Sequence, residues 1–318
     1  GSWKWKFDGK SVNIYSERLE KGGPAAGKPQ KNLLLLPTIS DVSTVEEWRA
    51  VAEEIVARDG GAFDWSATIV DWPGLGYSDR PKLDYTADVM EKFLSDFINS
   101  PDSPISASIC VLSDGEYVLC GGGHAATIAA RAAKSGYFRP KALAAVAPTW
   151  SGPLPIVFGK DSGMESRYGL LRGTLRAPAL GWMMYKALVS NEKAIESQYR
   201  SHVYADPSNV TARIVESRYE LTTREGARYA PAAFLTGRLD PVSSREEFVR
   251  LFAGLEEDDG VPLLVMITSA APKRSRAEME ALRGRLSTVV EVAGALLPQE
   301  EFPTAVAEEL YSFLLHIF

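Results

Sequence analysis

The sequence predicts an α/β protein: a doubly wound, mostly parallel, eight-stranded sheet with a helical cap inserted between its later strands. Three observations carry this. Apolar strand-like runs alternate with amphipathic helical stretches from Leu33 to Trp150, the pattern of βαβ units around a parallel sheet. The run Val118-Leu119-Cys120 enters three glycines, Gly121 to Gly123, and leaves through the Ala-rich stretch Ile128 to Ala133. That is a strand, a sharp turn and a helix packed closely on the strand just left. From Ser151 to Leu239 the spacing of apolar residues is helical throughout, and the sheet resumes only at Val261.

Composition sets the outer bounds. With 318 residues, 45% of them hydrophobic, the chain can bury a full core. A net charge of −6 argues against a nucleic-acid footprint. Cys110 and Cys120 form no disulfide or ligand framework and read as buried thiols of a reducing compartment. No run approaches the length of a membrane span. No metal-ligand pattern and no cofactor motif is read. Gly1-Ser2 is expected to be an appended dipeptide, and the start at Trp3 to follow a trimmed leader.

Taken in order, Trp3 to Phe7 and Ser11 to Arg18 alternate around Asp8-Gly9 and predict an antiparallel hairpin. Leu33 to Leu36 is a continuous apolar run, expected of a strand buried on both faces. Thr44 with Glu47 predicts a capping box for a helix burying Trp48, Val51, Ala52 and Ile55. Trp65 to Val70 is the next strand, opening into the turn-rich Asp71 to Pro81. A helix over Thr86 to Ile98 follows, then strand-forming sequence from Ser106 to Cys120, with Asp114-Gly115 suggesting a hairpin. Lys141 to Pro148 is another strand. After the helical insertion come a strand at Val261 to Thr268, a helix at Arg274 to Leu282, a strand at Thr288 to Val292 and an amphipathic helix from Thr304 to Phe318. The domain division expected is a core over 3–150, a cap over 151–239 and the rest of the core over 240–318.

The order of elements, the Asp71-x-Pro73-Gly74-x-Gly76-x-Ser78-Asp79-x-Pro81 loop and Glu300-Glu301-Phe302-Pro303 before the last helix together resemble the α/β-hydrolase superfamily. Within it the chain is most similar to pheophytinase-like and haloperoxidase-like members of plants and cyanobacteria. The resemblance implies a nucleophile on the elbow, an acid after the strand before last and a histidine after the last strand. Gly123, Ala271 and Ala295 occupy those three places, and none can attack or accept a proton. It also implies an oxyanion hole built from the backbone N–H groups of Ile39 and His124, with Pro37-Thr38 replacing the family's His-Gly. A plastid location follows from the same resemblance.

These residues predict a protein without serine-hydrolase chemistry that binds a small apolar molecule or a protein partner. Candidate pocket residues are Ile39, Ser40, Gly123, His124, Trp150, Trp182 and Met183. The alternative is an enzyme of unusual chemistry, hydrolase or lyase, using His124 with Ser40 or Asp240 and the backbone donors. Each has a plain counterpart. His124 can be a packed imidazole bonded to a loop carbonyl, Ser40 a turn-capping hydroxyl, and Asp240 a turn residue where the insertion rejoins the core. His202 is expected in the insertion with no function assigned, and His316 on the last helix as structural. Trp182, Met183, Met184 and Tyr185 form either a cavity wall or ordinary core.

Overall fold

A computed structural model of the chain describes residues 1–21, 28–59, 63–106 and 117–318. Cys110 and the Asp114-Gly115 hairpin lie outside the described residues. Those described hold one mixed sheet of eight strands in the order β1-β2-β4-β3-β5-β6-β7-β8. The hairpin β1 (Ser2–Phe7) and β2 (Lys10–Glu20) forms one edge, and β2 runs antiparallel to β4 (Asp64–Val70). The remaining strands, β3 (Gln30–Leu36), β5 (Tyr117–Gly122), β6 (Ala142–Val146), β7 (Leu263–Thr268) and β8 (Val289–Val292), are parallel to β4.

Helices cover both faces. α1 (Glu46–Ala57) and α13 (Pro303–Ile317) lie on one face, joined by the short α12 (Pro298–Glu301). Their Trp48, Val51, Ile55, Val306 and Leu310 share a core with Leu33, Leu35 and Val118. α2 (Ala87–Asn99), α3 (Gly123–Lys134) and α10 (Arg245–Glu257) cover the other face, packing Phe93, Ile128 and Phe248 against Leu34, Leu36 and Leu119. Thr86 caps α2 by accepting from the Val89 N–H. Between β6 and α10 run the cap helices α4 (Pro153–Phe158), α5 (Ser162–Arg176), α6 (Ala179–Leu188), α7 (Glu192–Gln198), α8 (Ala212–Thr223) and α9 (Tyr229–Leu235). A π-helical turn, Tyr199–Val203, continues α7. α11 (Lys273–Glu280) follows β7.

The capping box expected from Thr44 and Glu47 does not form. α1 begins at Glu46 with no side-chain cap, and the Thr44 hydroxyl is buried without a partner. Glu47 instead turns inward, accepting from Thr38 N at 2.8 Å and Thr38 Oγ1 at 3.0 Å. The tertiary bond to a charged acceptor outcompetes the local one.

Register brings three strand ends to one edge of the sheet. Leu36 of β3 pairs with Gly121 of β5, and Gly122 pairs with Val146 of β6. The segments Pro37–Ser40, Gly123–His124 and Ala147–Thr149 therefore emerge side by side, at the carboxyl ends where parallel sheets bind ligands.

Candidate functional site

The elbow between β5 and α3 is built for close approach. A Cβ on Gly121 would stand 2.7 Å from the Ala126 backbone nitrogen, and one on Gly122 only 2.9 Å from Thr38 Cγ2. Gly123 holds φ at +51° at the apex, a left-handed conformation that side chains adopt at a cost. Space there is more forgiving: the nearest atoms to a Cβ would be Thr38 Cγ2 at 3.3 Å and Thr149 Oγ1 at 3.4 Å. The turn thus keeps the shape of a nucleophile's seat and presents no side chain.

Beside it, the loop after β3 is pinned from three sides. Trp48 Nε1 donates to Leu36 O at 2.9 Å, Trp72 Nε1 to Pro37 O at 2.8 Å, and Glu47 takes both donors of Thr38. Burial pushes the Glu47 carboxyl up to about 7, with Glu300 adding to the rise and the Thr38 N–H opposing it. Gln299 Nε2 donates to the same carboxylate at 3.3 Å. Trp72 belongs to the turn-rich loop, which is itself closed on Asp71, a buried acid whose Oδ2 accepts from Tyr77 N at 2.7 Å. Among the described residues none accepts from the backbone N–H of Ile39 or of His124. Two such donors next to an elbow apex are the makings of an oxyanion hole where they point to one spot.

A cavity of about 530 Å³ opens above the apex, between the elbow and the cap. Ile39, Ile156, Val203, Phe234, Leu296 and Leu297 supply apolar walls; Ser40, Asp41, Thr149 and His202 are among its polar lining residues, and Lys273 and Arg274 bring cations to it. Burial raises the Asp41 carboxyl and lowers the His202 imidazole, so both lean toward the neutral form. His202 sits on the π-helical turn, its Nδ1 2.8 Å from Ser201 Oγ. Its sequence gave no reason to place it on the cavity.

Several expected positions are corrected. Trp182 and Met183 stand outside the cavity, 38% and 64% exposed on the outer side of the cap. α6 turns Gly181 and Tyr185 inward instead, because Gly181 lets the helix ride directly on the end of α5. Trp182 stacks on Tyr185 at 5.8 Å. Trp150 is also absent from the lining; its Nε1 donates to Glu278 at 3.0 Å, which draws the ring toward α11. Ile39, Ser40, Gly123 and His124 do line the cavity. Ala271 and Ala295 are buried beside it, 5% and 0% exposed.

His124 is not bonded to a loop carbonyl, and Asp240 is not merely a turn residue. The imidazole is 2% exposed, with Phe234 edge-on at 5.0 Å. Its Nδ1 lies 2.8 Å from Thr149 Oγ1 and its Nε2 3.5 Å from Asp240 Oδ1. Asp240, its side chain fully buried, accepts from Gly152 N at 2.8 Å and pairs with Lys160 Nζ at 2.9 Å. The separation of 116 residues between His124 and Asp240 hid this contact from any local reading. Thr149 was overlooked altogether. The signal available was its place, a hydroxyl just beyond the carboxyl end of a parallel strand.

Sheet, elbow and cap define an α/β-hydrolase-type protein. The model of the alpha/beta hydrolase family matches residues 34–309, and the chain belongs to that family. It is similar in fold to an esterase from Thermogutta terrifontis, at 16% identity, covering 100% of this chain and 99% of that one with a TM-score of 0.64. The haloalkane dehalogenase DatA from Agrobacterium tumefaciens C58 is similar at 15% identity, covering 100% and 97%, TM-score 0.64. Cfl2 from Burkholderia cenocepacia follows at 19% identity, covering 98% and 95%, TM-score 0.62. No curated protein matches significantly. Among the described residues no cluster of three His, Cys, Asp or Glu could hold a metal ion, and no helix is long and apolar enough to cross a membrane.

Proposed function

We propose that the protein takes a small, mostly apolar molecule into the cavity above Gly123 and has lost the serine-hydrolase mechanism of its family. One observation carries this: the cavity is open at about 530 Å³ directly over an apex that bears no side chain. That volume lies within the range of small-molecule sites, and the apolar walls suit such a ligand better than a protein segment. Ala271 and Ala295, standing where the family's acid and histidine are expected, offer only methyl groups. A plastid location is part of this proposal and rests on the sequence's resemblance to plant and cyanobacterial members alone.

The test is equilibrium binding of the neutral apolar dye Nile red, followed by fluorescence. Ile156→Trp and Val203→Trp each fill the cavity and are expected to weaken binding at least tenfold. Leu170→Ser, on the exposed outer cap, leaves it unchanged. Binding that survives both cavity-filling changes and drops with Leu170→Ser overturns the reading.

A second reading, chemistry with His124 as a base, is favoured by the approach of Asp240 to its Nε2. The version that uses Ser40 lacks such support. The Ser40 hydroxyl meets Ser43 Oγ at 2.9 Å and accepts from Val42 N at 3.3 Å, which is a capping role.

A further inference from the structure

We infer that the cavity wall carries a displaced hydroxyl–imidazole–carboxylate relay, Thr149–His124–Asp240, able to transfer the acyl group of an ester of a small apolar carboxylic acid. The inference rests on the cavity being a ligand site and adds an activity to it.

The first support is where the hydroxyl stands. Thr149 Oγ1 lies on the cavity, 3.4 Å from the point a Cβ on Gly123 would occupy. A hydroxyl from the neighbouring strand end thus reaches the region vacated at the apex. The chain is turned to bring it there. Ala147, a non-glycine residue, is held at φ +44°, a strained conformation that is retained where surroundings impose it. The Ala147 N–H donates to Met266 O at 2.8 Å, and Thr127 Oγ1 donates to Thr149 O at 2.7 Å, fixing both ends of the turn.

The second support is the order of the partners. With its proton on Nε2, the His124 ring directs that N–H at Asp240 and leaves Nδ1 free to accept from the Thr149 hydroxyl. This is the arrangement a base needs: one nitrogen on the nucleophile, the other on an orienting acid. The 3.5 Å gap on the acid side is long for a hydrogen bond, as catalytic contacts often are without substrate. Asp240 sits in a socket cleared by two glycines. A Cβ on Gly237 would lie 2.9 Å from Asp240 Oδ2, and one on Gly152 would strike Phe234 O. Lys160 and the Gly152 N–H hold the carboxylate in place.

The third support is the pair of N–H donors at Ile39 and His124, beside the same apex and engaged by no acceptor among the described residues. In the step these groups support, the Thr149 proton passes to His124 Nδ1 as Oγ1 bonds to the ester carbonyl carbon. The carbonyl oxygen becomes an oxyanion facing the two N–H groups. The intermediate collapses by breaking the bond to the alcohol oxygen, which leaves with the proton from Nδ1. Water, deprotonated by the same nitrogen, then cleaves the acyl-threonine. Ester and water give acid and alcohol, and the protein is restored.

The experiment incubates the full chain with p-nitrophenyl butyrate, following nitrophenolate release by stopped flow and the protein by intact mass and peptide mapping. A butyryl adduct on Thr149 is expected. Thr149→Ser keeps the adduct, Thr149→Val abolishes it, and His124→Gln slows acylation at least about 100-fold. Asp240→Asn, a change at a positioning residue, lowers kcat about tenfold with KM unchanged. Cys120→Ala, at a buried thiol that burial holds in its protonated form, changes nothing. Absence of both a Thr149 adduct and Thr149-dependent nitrophenolate release in a protein that still binds Nile red overturns the relay and leaves the binding reading standing. So does an adduct that persists, at another residue, in Thr149→Val. Loss of Nile red binding with an intact adduct would overturn the binding reading instead.

Discussion

Below the cavity, β5 and α3 meet through glycines and alanines with no charge between them; above it, the cap is fastened to the core by buried ions. On the lower side, Ala125, Ala126, Ala129 and Ala130 are fully buried, and the contact is so close that Gly121 has no room for a methyl group. On the upper side, Arg218 of α8 is 1% exposed and pairs with Glu46 of α1 and Glu300 of α12. Its Nε also donates to Tyr199 Oη at 3.1 Å. Glu301 adds bonds from Ala205 N, Asp206 N and Asn209 Nδ2. The floor is specified by shape, the roof by charge. The two should therefore fail in different ways.

The largest effect is expected at the roof. Arg218→Ala leaves Glu46 and Glu300 facing each other without their cation, at a cost of about 4 kcal/mol. Urea titration should record that loss, and limited proteolysis should cut first within the cap. A variant that unfolds in one step, with the cap as resistant as before, would break the contrast. Next comes the floor. Gly121→Ala drives a methyl group into the Ala126 backbone and should cost about 3 kcal/mol through overpacking. Its transition should stay cooperative, with no early cleavage in the cap.

This division also explains what the sequence made legible. Strands, the elbow glycines and a helical insertion are local patterns of period and turn chemistry, and the described strands and elbow follow them. Most of the strand expected from Ser106, however, lies outside the described residues, and β5 begins at Tyr117. The residues that hold floor to roof are not local. Arg218 lies 172 residues from Glu46, and nothing near either residue marks the pairing. Glu47 was read as half of a capping box because its neighbours suit one, yet Thr38 claimed it from outside the helix. For Trp182 and Met183 helical spacing allows cavity wall or ordinary core, because it fixes a stripe but not the side of the cap it faces. The sequence pointed to the candidate site through the positions where the family resemblance expects a triad, Gly123, Ala271 and Ala295. What surrounds Gly123, namely Thr149 and the Asp240 socket, required the three-dimensional register of β5 and β6.

Between floor and roof lies Glu47, and its effect is a matter of pH. Its folded carboxyl is raised to about 7, above the ordinary 4.5, chiefly by burial. The folded state therefore binds more protons than the unfolded chain between those values. The stability this group contributes is full below pH 4.5 and is lost as pH rises through 7. Asp71, raised to about 8 by burial, acts in the same sense. Glu46 acts in the opposite sense. Burial would raise it, but the charge and hydrogen bond of Arg218 outweigh that and lower it to about 2, so its contribution disappears only in strong acid. Glu47→Gln keeps an acceptor for the Thr38 N–H and should flatten the decline between pH 5 and 8 by about 2 kcal/mol. Urea midpoints at the two pH values, wild type against variant, make the measurement. Parallel curves for the two proteins would place the ionisation elsewhere.

The smallest effect sharpens the comparison within the floor itself. Gly123→Ala stands two residues from Gly121→Ala and makes the same chemical change. At Gly123 the methyl group meets a threonine methyl at 3.3 Å and a hydroxyl at 3.4 Å, both on side chains that can shift. The remaining cost is the left-handed backbone at φ +51°, about 1 kcal/mol. The pair of variants thus separates a position closed by backbone from one that only strains it. If Gly123→Ala proves as damaging as Gly121→Ala, the apex is filled by packing and is no seat for a side chain. If it is mild, the turn has the backbone conformation and the space to seat a side chain, and a hydroxyl at the edge of that space is that of Thr149.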